Sequence, residues 1–210
     1  MPSIYMSVIA PSVELLPIVI AIIKYKYWDA SEKLVFSYLL FSLTFNVIAS
    51  ITNYLHINNL PFLHLYTILE FVLLCFLFRT FFSENKIQQL LIWLAFCFTT
   101  FAIFYVIYTN SLFAYNTLPR FLSSVIVLIF CLYFLYLDFI KIDLNQPMFN
   151  FSVIVGFMLY FSSTSILFGL SNYIISNIKL FFIIWNIHAT IMLIMYLIFA
   201  WAFFRLKKTS

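Results

Sequence analysis

Long apolar runs, broken at short intervals by polar clusters, set the pattern of this chain. Seven mostly apolar windows fall at about 4–24, 34–55, 61–82, 87–108, 119–140, 149–172 and 179–204. Each is close to the roughly 20 residues that a helix needs to cross the hydrocarbon of a bilayer. Between them lie KYKYWDASEK, HINN, SENK, TNSLFAYNT, KIDLNQPM and the NYIISN that closes the sixth run. None of these connections is long enough for a soluble domain. Residues 1–210 therefore read as one all-α integral membrane domain with seven transmembrane helices. The first run reads as a span rather than a cleaved leader: no Lys or Arg precedes it, and it carries Glu14 and two prolines.

Composition agrees with a lipid solvent. The chain is 65% hydrophobic and 9% charged, with a mean hydropathy of +1.09. A soluble domain is nearer a quarter charged, and a chain of this size could not hide so much apolar surface from water. The net charge of +4 is then a matter of topology, and nucleic acid is not an expected partner. Counting Lys and Arg on alternate sides puts Lys24, Lys26, Lys33, Arg79, Lys86, Lys141, Arg205, Lys207 and Lys208 on one side. Only Arg120 and Lys179 fall on the other. The positive-inside rule then places the N-terminus outside and the C-terminus in the cytoplasm. Cys75, Cys97 and Cys131 all lie in apolar runs, an odd count that argues against a disulfide framework.

Ionisable and amide groups inside spans are where function concentrates, because each is costly in hydrocarbon. Glu14 and Glu70 fall near the middle of spans 1 and 3, and His188 in span 7. Tyr66 stands four residues before Glu70, on the same helical face, with Thr67 flanking it. His64 is six residues away and points elsewhere, towards the outer surface. A lone Glu70 in hydrocarbon would be held uncharged, and could carry a proton or donate a hydrogen bond. On span 7, Trp185, His188 and Met192 share one side, while Asn186 and Thr190 share another. Two stripes of small and polar residues run along spans 2 (Ser42, Asn46, Ser50, Asn53) and 6 (Ser162, Ser165, Gly169, Asn172). Such stripes either let helices approach and hydrogen-bond or form the wall of a polar cavity.

A shift of 119 residues lays TNYLHINNLPF (52–62) over SNYIISNIKLF (171–181), matching Asn53, Tyr54, Asn58 and Phe62 to Asn172, Tyr173, Asn177 and Phe181. Spans 1–3 then correspond to spans 5–7, with span 4 as linker: a parallel 3+1+3 repeat. This arrangement resembles the sugar-transporting SWEET family, in which substrate lies between two triple-helix bundles. The resemblance implies a midplane site, lined here by Glu14, Asn46, Glu70, Ser165 and Asn186. That family carries prolines in the first two helices of each repeat. Here Pro11 and Pro17 lie in span 1, Pro119 opens span 5, and spans 2 and 6 have none. The runs NNLPFLHLYTILEFVLL and FFIIWNIHATIMLIMYLIFAWAF are also similar to a group of small multi-pass membrane proteins of Bacteroidota type, with no assigned activity. Those proteins resemble the membrane halves of sensor kinases. This second resemblance implies a bacterial inner-membrane location and singles out His64, Tyr66, Glu70, Asn186 and His188.

Three functional readings follow. The leading one is binding or transport of a small or lipid-like ligand in a polar pocket between spans 2, 3, 6 and 7, with Glu70 central. Its candidate residues are Glu14, Asn46, Tyr66, Glu70, Ser165, Asn186 and His188. The second is a sensory or accessory membrane module without chemistry of its own. The third is an intramembrane lipid hydrolase. Seven-span zinc hydrolases of the ceramidase and adiponectin-receptor type carry an HxxxH pair in the last helix, where this chain has only IHATIM. A metal would need His64, His188 and Glu70 to converge from separate helices. No catalytic residue is assigned and no cofactor is expected. The expected partners are the bilayer and a small-molecule or lipid ligand, with self-association open.

Overall fold

A computed structural model describes residues 5–141, 148–175 and 177–207. Lys208, most of the KIDLNQPM connection, the side chain of Asn172 and residue 176 within the repeat overlay lie outside the described residues or side chains. All regular structure among the described residues is helical. Six helices are long and apolar enough to cross a membrane. They are α2 (Ala30–Tyr54), α3 (Leu60–Phe81), α4 (Asn85–Thr109), α5 (Thr117–Lys141), α6 (Met148–Gly169) and α7 (Ile178–Phe204), and the shorter α1 (Leu15–Ile23) precedes them.

The termini of these helices follow from local chemistry. At the start of α2, the Glu32 carboxylate accepts from the Asp29 backbone N–H at 3.0 Å, one half of a capping box. Pro61 sits in the first turn of α3, where its missing N–H costs nothing. Asn110 closes α4 in the left-handed conformation that asparagine tolerates, with φ of 50°. The Asn177 side chain accepts from the backbone N–H groups of Lys179 and Leu180, both at 3.2 Å, and so caps α7.

The first expected span corresponds to a broken segment. A π-helical turn (Tyr5–Ile9) leads into one α-turn (Ala10–Ser12), and α1 resumes at Leu15. Pro17 is the physical reason. It has no N–H for the Val13 carbonyl, and its ring would collide with that carbonyl in a continuous helix. The chain tightens instead, with Leu16 N–H bonding Val13 O at 3.0 Å and Glu14 N–H bonding Pro11 O at 3.1 Å. The sixth expected span also ends early, at Gly169, and a separate short helix (Ser171–Ile175) leads towards α7.

In cross-section, α1, α2, α3, α5, α6 and α7 follow one another around the bundle, each packed on the next, and α7 packs back on α1. α4 packs chiefly on α3, outside this ring. Burial agrees: 56% of the most apolar stretch of α6 is enclosed, against 17% for α4. The core is built from phenylalanine. Phe157 of α6 meets Tyr38 of α2 edge-to-face at 5.0 Å, and Phe199 of α7 at the same distance. Gly156 makes that close approach of α6 and α7 workable, since a Cβ there would lie 2.6 Å from the Phe199 ring. All three cysteines are free, Cys75 and Cys131 buried and Cys97 exposed.

Candidate functional site: a cavity backed by a buried ion pair

Glu70 lies midway along α3 and is 1% exposed. Its carboxylate pairs with the guanidinium of Arg120 from the first turn of α5, itself 3% exposed. Arg120 Nη1 donates to Glu70 Oε2. Arg120 Nη2 lies 3.5 Å from Glu70 Oε1 and donates to the Tyr160 hydroxyl at 3.1 Å. Tyr66 donates to Glu70 Oε1 at 2.7 Å, and Tyr38 reaches the same oxygen at 3.4 Å. The guanidinium also stands 5.2 Å from the Tyr66 ring centroid and 5.9 Å from that of Phe161, within cation–π range. Two charges in hydrocarbon are tolerable only when paired and hydrogen-bonded in this way. Glu70 therefore does not stand alone in the bundle: the Arg120 guanidinium faces its carboxylate.

Arg120 was counted from the sequence as an outer-surface charge, and this is corrected. The missed signal lay in its own helix: Ser123 and Ser124 follow at three and four residues. Both hydroxyls donate to the Arg120 carbonyl, at 2.9 and 2.7 Å. That local polarity is a sign of an inward face, although it does not report what the guanidinium meets there.

A cavity of about 640 Å³ opens beside the pair. Its wall includes Ser42, Asn46 and Ala49 of α2, Tyr66 of α3, Arg120 of α5, Tyr160 of α6, and Trp185, His188, Met192 and Tyr196 of α7. It extends to Asn58 and Asn59 in the connection between α2 and α3 and to Leu60 at the start of α3. Its wall is mixed, with aromatic and aliphatic groups around a few convergent polar ones. That is the usual make-up of a small-molecule site.

The sequence candidates separate in this geometry. Asn46, Tyr66 and His188 line the cavity, while Glu70 stands behind Arg120 and Tyr66. Glu14 is fully enclosed and accepts from Asn46 Nδ2 at 2.9 Å. Ser165 is not on the wall; its hydroxyl donates to Ser162 O at 2.8 Å. Asn186 is not on the wall either, and its amide donates to Phe182 O at 2.8 Å. Only the first half of the α2 stripe, Ser42 and Asn46, faces the interior, with Ser50 and Asn53 exposed. His188 Nδ1 shares a hydrogen bond with Ser163 Oγ at 2.8 Å, and its ring lies tilted against Tyr160 and edge-on to Trp185.

His64 is buried by the protein, at 5% exposure. Its Nε2 lies 3.1 Å from Ser111 O and 3.2 Å from Ala114 O, tying α3 to the connection after α4. His64, His188 and Glu70 thus engage three separate sets of partners. Among the described residues no group of three His, Cys, Asp or Glu side chains comes together. The His64 tie has a measurable consequence. His64→Phe removes this donor from the Ala114 carbonyl, while Ser111 O keeps the Ala114 N–H at 2.9 Å, and should destabilise the fold by about 1–2 kcal/mol. Thermal unfolding in detergent checks this; an unchanged midpoint would contradict the tie.

No protein-family model, curated protein or solved structure matches this chain.

Proposed function

We propose that the chain is a seven-span bacterial inner-membrane protein that binds or transports a small or lipid-like ligand in the cavity between α2, α3, α6 and α7. The observation that carries this reading is the cavity itself. It is large enough for a drug-sized molecule, and Arg120, paired with Glu70 behind it, forms part of its wall. Arg120 presents a fixed array of donors that suits a polar or anionic head, and the Phe and Trp walls suit an acyl or ring portion.

The segment from Tyr5 to Ile23 serves as the first span in this reading. Its nineteen residues would measure about 28 Å as an unbroken α-helix at 1.5 Å per residue, near the hydrocarbon thickness, and the break at Val13 and Glu14 departs from that ideal. With Arg120 buried, the charge bias becomes nine against Lys179 alone, which favours an N-terminus outside. The Asn58–Leu60 mouth of the cavity then faces outward. The order of helices around the ring supports a 3+1+3 repeat, with α1–α3 and α5–α7 as halves and α4 peripheral. Asn46 and its counterpart Ser165 differ in role, since only the first faces the cavity.

The test is binding of amphiphiles to the purified protein, comparing dodecanoate with dodecanol by equilibrium dialysis. Saturable binding is expected, and Met192→Trp, which fills the cavity, should reduce it at least tenfold. Equal binding by parent and Met192→Trp would place the ligand elsewhere. The absence of any saturable binding would favour the accessory-module reading instead.

A further inference from the structure

Among the described residues three carboxylates are buried: Glu32 is taken up by the cap at the start of α2, and the other two, deeper in the bundle, differ in circumstance. Glu70 has a guanidinium. Glu14 is 0% exposed, and no cationic side chain faces it among the described residues. Its position is a product of the broken first segment. Pro17 interrupts the helix at Val13, and Glu14 occupies the break, turned into the bundle towards α2 and α7. Broken helices at membrane depth recur where transporters hold coupling ions, because the break turns polar groups inward.

The groups facing Glu14 are few. From α2 come Ser42 and Asn46; from α7 comes Tyr196, the one titratable side chain among them. Asn46 Nδ2 donates to Glu14 Oε2 at 2.9 Å. Glu14 Oε1 is buried with no hydrogen-bond partner. The Ser42 and Tyr196 hydroxyls bond each other at 3.2 Å. An ionised carboxylate in this setting is costly to desolvate, and only the Asn46 N–H and the nearby Ser42 and Tyr196 hydroxyls, with no cation, offset that cost. A hard divalent cation would want about six oxygens. The oxygens facing this site are the two of Glu14 and those of Ser42 and Tyr196, while Asn46 offers an N–H. A single proton on Oε1 removes the charge and gives that atom an O–H to donate to a neighbouring hydroxyl.

Ser42, Asn46 and Tyr196 have a second face, on the cavity wall. The groups that hold Glu14 are therefore those a ligand in the cavity would touch. We propose that Glu14 is a proton-binding site behind the cavity wall, and that its loading and the occupancy of the cavity are coupled through Ser42, Asn46 and Tyr196. The proposal rests on the cavity reading above. Coupling of this kind is reciprocal: a ligand that engages Asn46 or Tyr196 changes proton binding, and the proton changes ligand binding by the same factor.

Two measurements on the full chain in lipid nanodiscs test it. In infrared pH-difference spectra, the parent should show a protonated-carboxyl C=O band from a site shielded from water. Glu14→Gln should lose that band and Glu14→Asp should keep it, shifted. Identical spectra from the parent and Glu14→Gln would overturn the proposal. So would loss of the band when potassium is exchanged for sodium, which would assign the oxygens to a metal cation. Coupling is read from maleimide labelling of Met192→Cys in a Cys97→Ser background, as the rate ratio between Glu14 and Glu14→Gln proteins at each pH. The ratio should change severalfold between acid and alkaline pH. A flat ratio overturns the coupling, whereas failure to label Met192→Cys at any pH overturns the cavity reading instead.

Discussion

Arg120→Met should destabilise the folded protein by about 3–5 kcal/mol, because it leaves the Glu70 carboxylate buried and uncompensated among Tyr38, Tyr66 and Tyr160. Denaturation of the purified protein in mixed micelles measures this. Arg120→Met combined with Glu70→Gln should be more stable than Arg120→Met alone. The amide is neutral, yet it still offers an oxygen to the hydroxyls of Tyr38 and Tyr66. Strict additivity of the two substitutions would mean that the residues do not interact, against the pairing described above.

The second large effect is steric. Gly156→Leu would place a Cβ 2.6 Å from one Phe199 ring carbon and 3.2 Å from the next. Phe199 is fully buried and held edge-to-face against Phe157, so the ring cannot swing away freely. Overpacking of this kind costs about 1–3 kcal/mol, and more where the neighbour is held on both sides. Phe199→Leu in the same chain should recover part of the loss, as read by thermal unfolding. Full stability of Gly156→Leu alone would show that α6 and α7 stand further apart than described here.

Much of the architecture was legible because membrane helices announce themselves by length and apolarity. α2, α3, α4, α5 and α7 begin and end within a few residues of the windows read from the sequence. The first span was less legible. Hydropathy does not register that Pro17 forbids a continuous helix at Val13, and the break is what aims Glu14. On α3, the four-residue spacing placed Tyr66 against Glu70, because local helical geometry alone decides that contact. Arg120 was not legible in the same way. It lies fifty positions from Glu70, and no periodicity in one helix reports what a side chain on another will meet. Its place just after Pro119, at the start of a helix, made it look like an interfacial charge. Asn186 and Ser165 were singled out for polarity inside spans, but each is satisfied by a carbonyl of its own helix, the cheapest partner available in lipid. The burial of His64 was not legible for a related reason: its position near a helix start does not report that the connection at residues 111–114 folds over it.

The most direct test of the account is side-specific labelling of Ala49→Cys, a cavity-wall position near the Asn58 mouth, in a Cys97→Ser background. A membrane-impermeant maleimide applied to intact spheroplasts should label it, and prior addition of dodecanoate should slow that labelling. Labelling only after permeabilisation would contradict the outward-facing mouth, and no labelling from either side would contradict the cavity itself.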